Sequence, residues 1–118
     1  MKVTVSIKNN YEFIRAYKKG KYFVGKYLIL YIQRYDQKIN MLGITASKKV
    51  GKSVIRNRLK RLVKENYRYF EEFLYYGFKM IFVIRSTEEL PLYKDINRDM
   101  KSLLKRAGIL DKTKWEKE

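Results

Sequence analysis

From Ser47 to Arg68 the sequence is SKKVGKSVIRNRLKRLVKENYR, and its apolar side chains recur with the period of an α-helix. We predict a helix from Gly51 to about Tyr76, which Gly77 ends. The apolar side chains form an arc about 120° wide, which consists of Ile55, Leu59, Leu62, Val63, Asn66, Tyr69, Phe70 and Phe73. The helix is therefore expected to pack this arc against a sheet.

The other side of the predicted helix is strongly basic. Nine basic residues and one acid, Glu65, lie between Lys48 and Arg68, so this segment carries half of the net charge of +16. A solvated helix face usually pairs Glu with Lys four residues apart, whereas Lys52, Arg56 and Lys60 repel one another at that spacing unless an anion screens them. We favour a nucleic-acid surface over an unspecific solubility device. The candidate RNA-binding residues are Lys48, Lys49, Lys52, Ser53, Arg56, Asn57, Arg58, Lys60, Arg61, Lys64 and Arg68.

The stretch ASKKVGKS, Ala46 to Ser53, resembles a nucleotide-binding P-loop, since it follows an apolar run and opens a helix. The other features that define a P-loop are missing from this sequence. The loop has a single glycine, Ala46 replaces the first glycine of the motif, and the next apolar strand ends at Arg85 instead of a magnesium-binding aspartate. The chain of 118 residues is also short for a nucleoside-triphosphatase sheet with its helices. No nucleotide cofactor is expected.

The composition favours nucleic acid as the partner and disfavours protein-based hydrolysis. There are 28 Lys and Arg against 12 Asp and Glu, together with 11 Tyr and 6 Phe, and single-strand binding needs charge for phosphates and rings for bases. The sequence has no cysteine and no histidine, so it lacks thiolate ligands and the usual general base. It shows neither a signal peptide nor a run of ~20 apolar residues. We expect a cytoplasmic location and no membrane partner.

The remaining pattern predicts one compact α+β domain, residues 1–110, with a central, mostly antiparallel sheet. Asn9 and Asn10 cap the first helix and Gly20 ends it. The segment from Tyr22 to Tyr35 is extended, and Gly25 marks either a break between two short strands or a bulge. A strand from Ile39 to Ser47, the basic helix and a strand from Lys79 to Arg85 follow, and the last helix has Gly108 as its C-cap and the inward residues Ile96, Met100, Leu103, Leu104 and Ala107. Residues 111–118 form a polar tail, in which Trp115 is the one possible anchor.

The segment from Ser47 to Arg68 closely resembles the signature of one family, the protein component of bacterial ribonuclease P, a ribonucleoprotein that removes 5′ leaders from precursor tRNA. Arg56, Asn57 and Arg58, followed by Lys60 and Arg61, match the family's RNR motif. The resemblance covers about residues 9–109.

This resemblance implies more than the residue pattern alone. It implies an unusual left-handed crossover in the sheet, the ribonuclease P RNA and precursor tRNA as partners, and bond cleavage by the RNA subunit with bound Mg²⁺, so that the protein has no catalytic residue. It also implies a cleft between the first helix and the sheet that receives the leader, at Phe13, Tyr17 and Tyr31. An aromatic pair four residues apart is equally typical of a core. A non-catalytic RNA-binding module of the ribosome-associated type would fit the charge and the rings as well.

Overall fold

The computed structural model describes residues 4–7 and 10–111, without the side chains of residues 10 and 12. The elements are β1 (Thr4–Ser6), α1 (Asn10–Lys19), β2 (Lys21–Val24), β3 (Leu28–Arg34), β4 (Asn40–Ala46), α2 (Ser53–Glu71), β5 (Phe78–Ile84) and α3 (Tyr93–Arg106). A single 3₁₀ turn, Lys48–Val50, precedes α2. The predicted Asn9 cap, the tail from residue 112 and Trp115 lie outside the described residues.

The five strands form one sheet in the order β1-β4-β5-β3-β2. The pairs β2–β3 and β3–β5 are antiparallel, whereas β1–β4 and β4–β5 are parallel. The α+β class is confirmed, but the sheet is mixed and the expectation of a mostly antiparallel sheet is corrected. The parallel pair β4–β5 requires a long crossover, which α2 supplies. The left-handed sense of this crossover stays a prediction.

The main core lies between one face of the sheet and the helices α2 and α3. Strand side chains alternate between the faces, so that Leu28, Leu30 and Ile32 of β3 point into this core. On α3 the predicted positions are confirmed, because Ile96, Met100, Leu103 and Leu104 are all buried. The predicted C-cap is displaced by one residue, because Ala107 is the C-cap of α3 and Gly108 follows it with a φ of 73°.

The predicted apolar face of α2 needs two corrections. Tyr67 is 2% exposed and Tyr69 48%, so the tyrosine assigned to the core was the wrong one. Tyr67 follows the buried Val63 by four residues, and its hydroxyl meets Thr4 of β1. The helix also ends at Glu71 rather than near Tyr76, because the chain turns so that Leu74 can form a β-bridge with Leu110.

The opposite face of the sheet is only partly covered, by α1. Ile7, Ala16, Met41 and Ile81 form a smaller buried cluster there. Helix α1 approaches the sheet most closely over Gly43, where an added Cβ would lie 2.7 Å from the ring of Phe13. Farther along this face Val24 is 43% exposed. The sheet face beside α1 is therefore an open cleft.

Among the described residues, no helix combines the length and the apolar character that a membrane crossing requires.

Candidate nucleic-acid interface

The basic side of α2 faces outward because its apolar side chains are anchored in the core. Leu59 and Val63 are buried and Leu62 packs against the same core, which directs the opposite side of the helix, with Arg58 and Arg61, toward the surface. Of the eleven predicted RNA-binding residues, only Arg56 and Lys60 are half-buried, and the other nine are exposed. The predicted separation of the two faces is confirmed.

Carboxylates of the same chain neutralise almost none of this face. The Oε1 of Glu65 lies 3.9 Å from the Nε of Arg61, and the two side chains are 48% and 78% exposed. An ion pair this exposed contributes little to stability and is screened by salt. Within the described part of the chain, no other carboxylate comes within ion-pair distance of the eleven residues. The charge on α2 is therefore available to an external anion.

The start of α2 extends this basic surface. Its first turn contains no acidic residue, and Lys52 occupies the N-cap position without a side-chain hydrogen bond to the backbone. The Oγ of Ser86 donates to the carbonyl of Lys49 over 3.0 Å and holds the preceding turn against the β5 end of the sheet. The positive end of the helix dipole thus adds to the charge of Lys48, Lys49 and Lys52.

The three predicted cleft residues come together between α1 and the sheet. The ring centroids of Phe13 and Tyr17 are 6.5 Å apart, and those of Tyr17 and Tyr31 are 4.8 Å apart in an edge-on arrangement. Tyr17 is 38% exposed, so this cluster has an accessible side. Partial burial, and secondarily the neighbouring Tyr31, raise the pKa of Tyr17 above its ordinary value.

The sequence did not predict a fourth ring, Tyr22. It lies directly opposite Tyr31 in the β2–β3 register, with ring centroids 5.7 Å apart, and is 63% exposed. A hairpin centred on Gly25 would have placed Leu28 opposite Tyr22, whereas the observed turn is centred between Lys26 and Tyr27, so the break at Gly25 alone did not give this pairing. We call Phe13, Tyr17, Tyr22 and Tyr31 the aromatic cluster.

The two predicted surfaces share a cleft of about 560 Å³. Phe13 of the aromatic cluster lines one side of it, Lys60, Lys64 and Arg68 of α2 line the other, and Ser6 of β1 lies between them. Cations that bind phosphates and rings that stack on bases therefore border one continuous depression. The sequence could not show this, because the depression depends on β1, which was not predicted. In the described residues, no group of three or more His, Cys, Asp or Glu could hold a metal ion.

Comparison with known proteins agrees with this geometry. The sequence model of the Ribonuclease P family matches residues 1–108. The ribonuclease P protein component of Clostridium botulinum is 46% identical over 104 residues, which cover 87% of this chain and 94% of that protein. That of Clostridium kluyveri is 42% identical over 105 residues, with the same coverage. The chain belongs to the ribonuclease P protein family. Membership implies a role in an endoribonuclease complex and an RNA partner.

Solved structures of the family share this fold. The RNase P protein of Staphylococcus aureus superposes with a TM-score of 0.81 at 28% identity, over 89% of this chain and 96% of that one. The RNase P protein of Thermotoga maritima gives a TM-score of 0.78 at 28% identity, over 86% and 96% of the two chains. Both confirm the α+β architecture.

Proposed function

We propose that this chain is the protein subunit of ribonuclease P, and that it binds both the catalytic RNA and the 5′ leader of precursor tRNA. The observation that carries the proposal is the exposed basic face of α2, which Glu65 alone approaches with a carboxylate among the described residues. A surface of this kind is most stable when a polyanion covers it.

The RNA subunit occupies the basic face of α2 and the turn before it. The exposed cations there, such as Arg58 and Lys64, contact phosphates, and the amide of Asn57 can form two hydrogen bonds to one RNA group. Arg56 differs from these exposed cations, because its Nη2 already donates a hydrogen bond to the Oγ of Ser53 over 3.1 Å. Its contribution is therefore partly to order the first turn of α2.

The leader occupies the aromatic cluster. Each ring offers a stacking surface that accepts any base, for ~1 to 3 kcal/mol per base, and this suits a leader of variable sequence. The exposed sides of Tyr17 and Tyr22 support the assignment. The shared cleft, which Phe13 lines together with Lys60, Lys64 and Arg68, supports a course of the leader's phosphates beside α2.

In this mechanism the protein lowers the repulsion between two polyanions, the catalytic RNA and its substrate. The RNA subunit breaks the bond and binds most of the Mg²⁺, which supplies the metal chemistry of hydrolysis. The protein contributes binding and orientation. It favours precursor over product because only the precursor carries a leader. The subunit would act in the cytoplasm, on newly transcribed tRNA.

Reconstitution tests the proposal directly. The purified chain is added to ribonuclease P RNA and precursor tRNA at low Mg²⁺, where the RNA alone is slow, and 5′ processing is measured. We expect restored cleavage at the mature 5′ end. A generic polycation of equal charge is the control. Binding without any gain in processing, or an equal gain with the polycation, would favour the RNA-binding module of the ribosome-associated type.

A further inference from the structure

Two exposed tyrosines lie at the end of the sheet opposite to the start of α2. Tyr75 is 48% exposed and Tyr76 47%, and both belong to the loop between α2 and β5. Together with the loop between β3 and β4 they line a groove of about 470 Å³, which also includes Arg34, Tyr35 and Lys38. The 19 residues of α2 correspond to about 28 Å of helix, so this groove is well separated from the turn that precedes α2.

Hydrogen bonds on both sides hold the backbone that carries these rings. The N–H of Tyr75 donates to the carbonyl of Ile109 over 2.9 Å, and the carbonyl of Tyr75 accepts from the Nδ2 of Asn40 over 3.1 Å. Gly77 follows with a φ of 91°, and its carbonyl accepts from the N–H of Tyr35 over 2.7 Å. Rings on a fixed backbone lose little conformational entropy when a ligand covers them.

The charges around the groove favour an anion. Arg34 and Lys38 are exposed cations and Asp36 is the one carboxylate in the lining. The ammonium of Lys79 lies 4.7 Å from the ring centroid of Tyr35, so a third positive charge is close to one of the rings that line the groove. Exposed rings beside cations suit a ligand that carries both planar groups and phosphates.

Tyr35 connects this groove to the small core beneath α1. Tyr35 lines the groove and also packs against the small core under α1. Phe13 and Tyr31 of the aromatic cluster pack against the same core. Tyr35 lies four residues after Tyr31, so the two side chains are on the same side of the strand. A single strand of RNA that occupies the aromatic cluster can continue past Tyr35 into the groove.

We propose that this groove binds unpaired RNA, namely the leader nucleotides beyond those that the aromatic cluster holds, by stacking on Tyr75 and Tyr76. The inference rests on the proposed function and adds a second leader site. It predicts that a long leader binds more tightly than a short one and that these two rings supply the difference.

The test compares a double variant, Tyr75→Ala with Tyr76→Ala, with the wild-type chain in the reconstituted complex. Dissociation constants are measured for precursor tRNA with leaders of about five and about fifteen nucleotides, since single-strand sites of this kind span about 4 to 16 nucleotides. We expect the double variant to weaken binding of the long leader roughly tenfold or more, with little change for the short one. The double variant Tyr75→Phe with Tyr76→Phe should retain the affinity, because it keeps both rings.

Tyr93→Ala is the matched control, since Tyr93 is 42% exposed at the start of α3 and outside the groove. Equal weakening of both leaders, or none of either, overturns the proposal. It is also overturned if the free wild-type chain sediments as a dimer and the alanine variant as a monomer, because the groove is then an interface between copies. A failure of the proposed function has a different result, because the wild-type chain then does not stimulate processing at all. In that case the second leader site is also wrong.

Discussion

The ring of Tyr17 on α1 packs edge-on against the ring of Tyr31 on β3, with centroids 4.8 Å apart and ring planes at 78°. This contact joins the helix to the sheet beside the cleft. Because Tyr22 touches Tyr31 from β2, Tyr31 is the central ring of the aromatic cluster. A change at Tyr31 should therefore affect leader binding more than a change at either neighbour.

Replacing Tyr31 by Ala should weaken binding of leader-bearing precursor tRNA by about 1 to 3 kcal/mol, the usual contribution of one stacked base. Leaderless tRNA should bind as before. Equilibrium binding of both substrates to the reconstituted complex measures the difference. Tyr31→Phe keeps the ring and is the control, with near wild-type affinity expected. An equal loss for leaderless tRNA would show that Tyr31 serves only the core.

Reversing one charge on α2 should weaken assembly with the RNA subunit. Arg58 is exposed and has no carboxylate within ion-pair distance among the described residues. In Arg58→Glu the affinity should fall, and the slope of log K against log salt should decrease by about 1 because one phosphate contact is lost. Lys94→Glu makes the same charge change at an exposed position of α3 and should have a smaller effect. If Arg58→Glu binds the RNA subunit as tightly as the wild-type chain at every salt concentration, the assignment of Arg58 to a phosphate contact is wrong.

Local patterns in the sequence predicted the parts of the fold that depend on local forces. The 3.6-residue period gave the buried positions Ile96, Met100 and Leu103 of α3, and Gly25 correctly separated β2 from β3. The outward basic side of α2 followed from the same period. Each of these depends on residues close together in the chain.

Features that depend on distant parts of the chain were missed. Strand β1 has three residues and exists because it pairs in parallel with β4, some 36 positions later, Thr4 opposite Asn40. The helical period favours Tyr67, four residues after Val63, as the buried ring, but without β1 the contact of its hydroxyl with Thr4 could not be predicted. The cleft that Phe13 shares with Lys60 was hidden for the same reason. The parallel β4–β5 pairing is equally nonlocal, which explains why the sheet was expected to be mostly antiparallel.

A single carboxylate, that of Asp99 on α3, fixes the turn between β2 and β3. It accepts hydrogen bonds from the N–H groups of Lys26, Tyr27 and Leu28, each over 2.9 Å. Replacing Asp99 by Ala should lower the free energy of unfolding by about 2 to 3 kcal/mol, because hydrogen bonds to a charged group are lost and the turn donors lose their acceptor. Urea unfolding measures the change. Glu88→Ala, at an exposed site, is the control, and an equal effect of the two substitutions would show that the turn needs no such anchor.

The stability of the protein should decline at alkaline pH because of Tyr67. Burial raises the pKa of this tyrosine to about 12, with the hydrogen bond between its hydroxyl and that of Thr4 opposing the shift and Glu71 adding to it. The unfolded chain ionises Tyr67 near the ordinary value of about 10, so between about pH 10 and 12 unfolding releases a proton and the free energy of unfolding falls by roughly 2 to 3 kcal/mol. Below about pH 10 this contribution is fully present. Tyr67→Phe has no proton to release, so its stability should decline less steeply over the same range, as urea unfolding at a series of pH values would show. All other side chains are the same in the two proteins, and parallel curves would mean that Tyr67 ionises as easily in the folded chain as in the unfolded one.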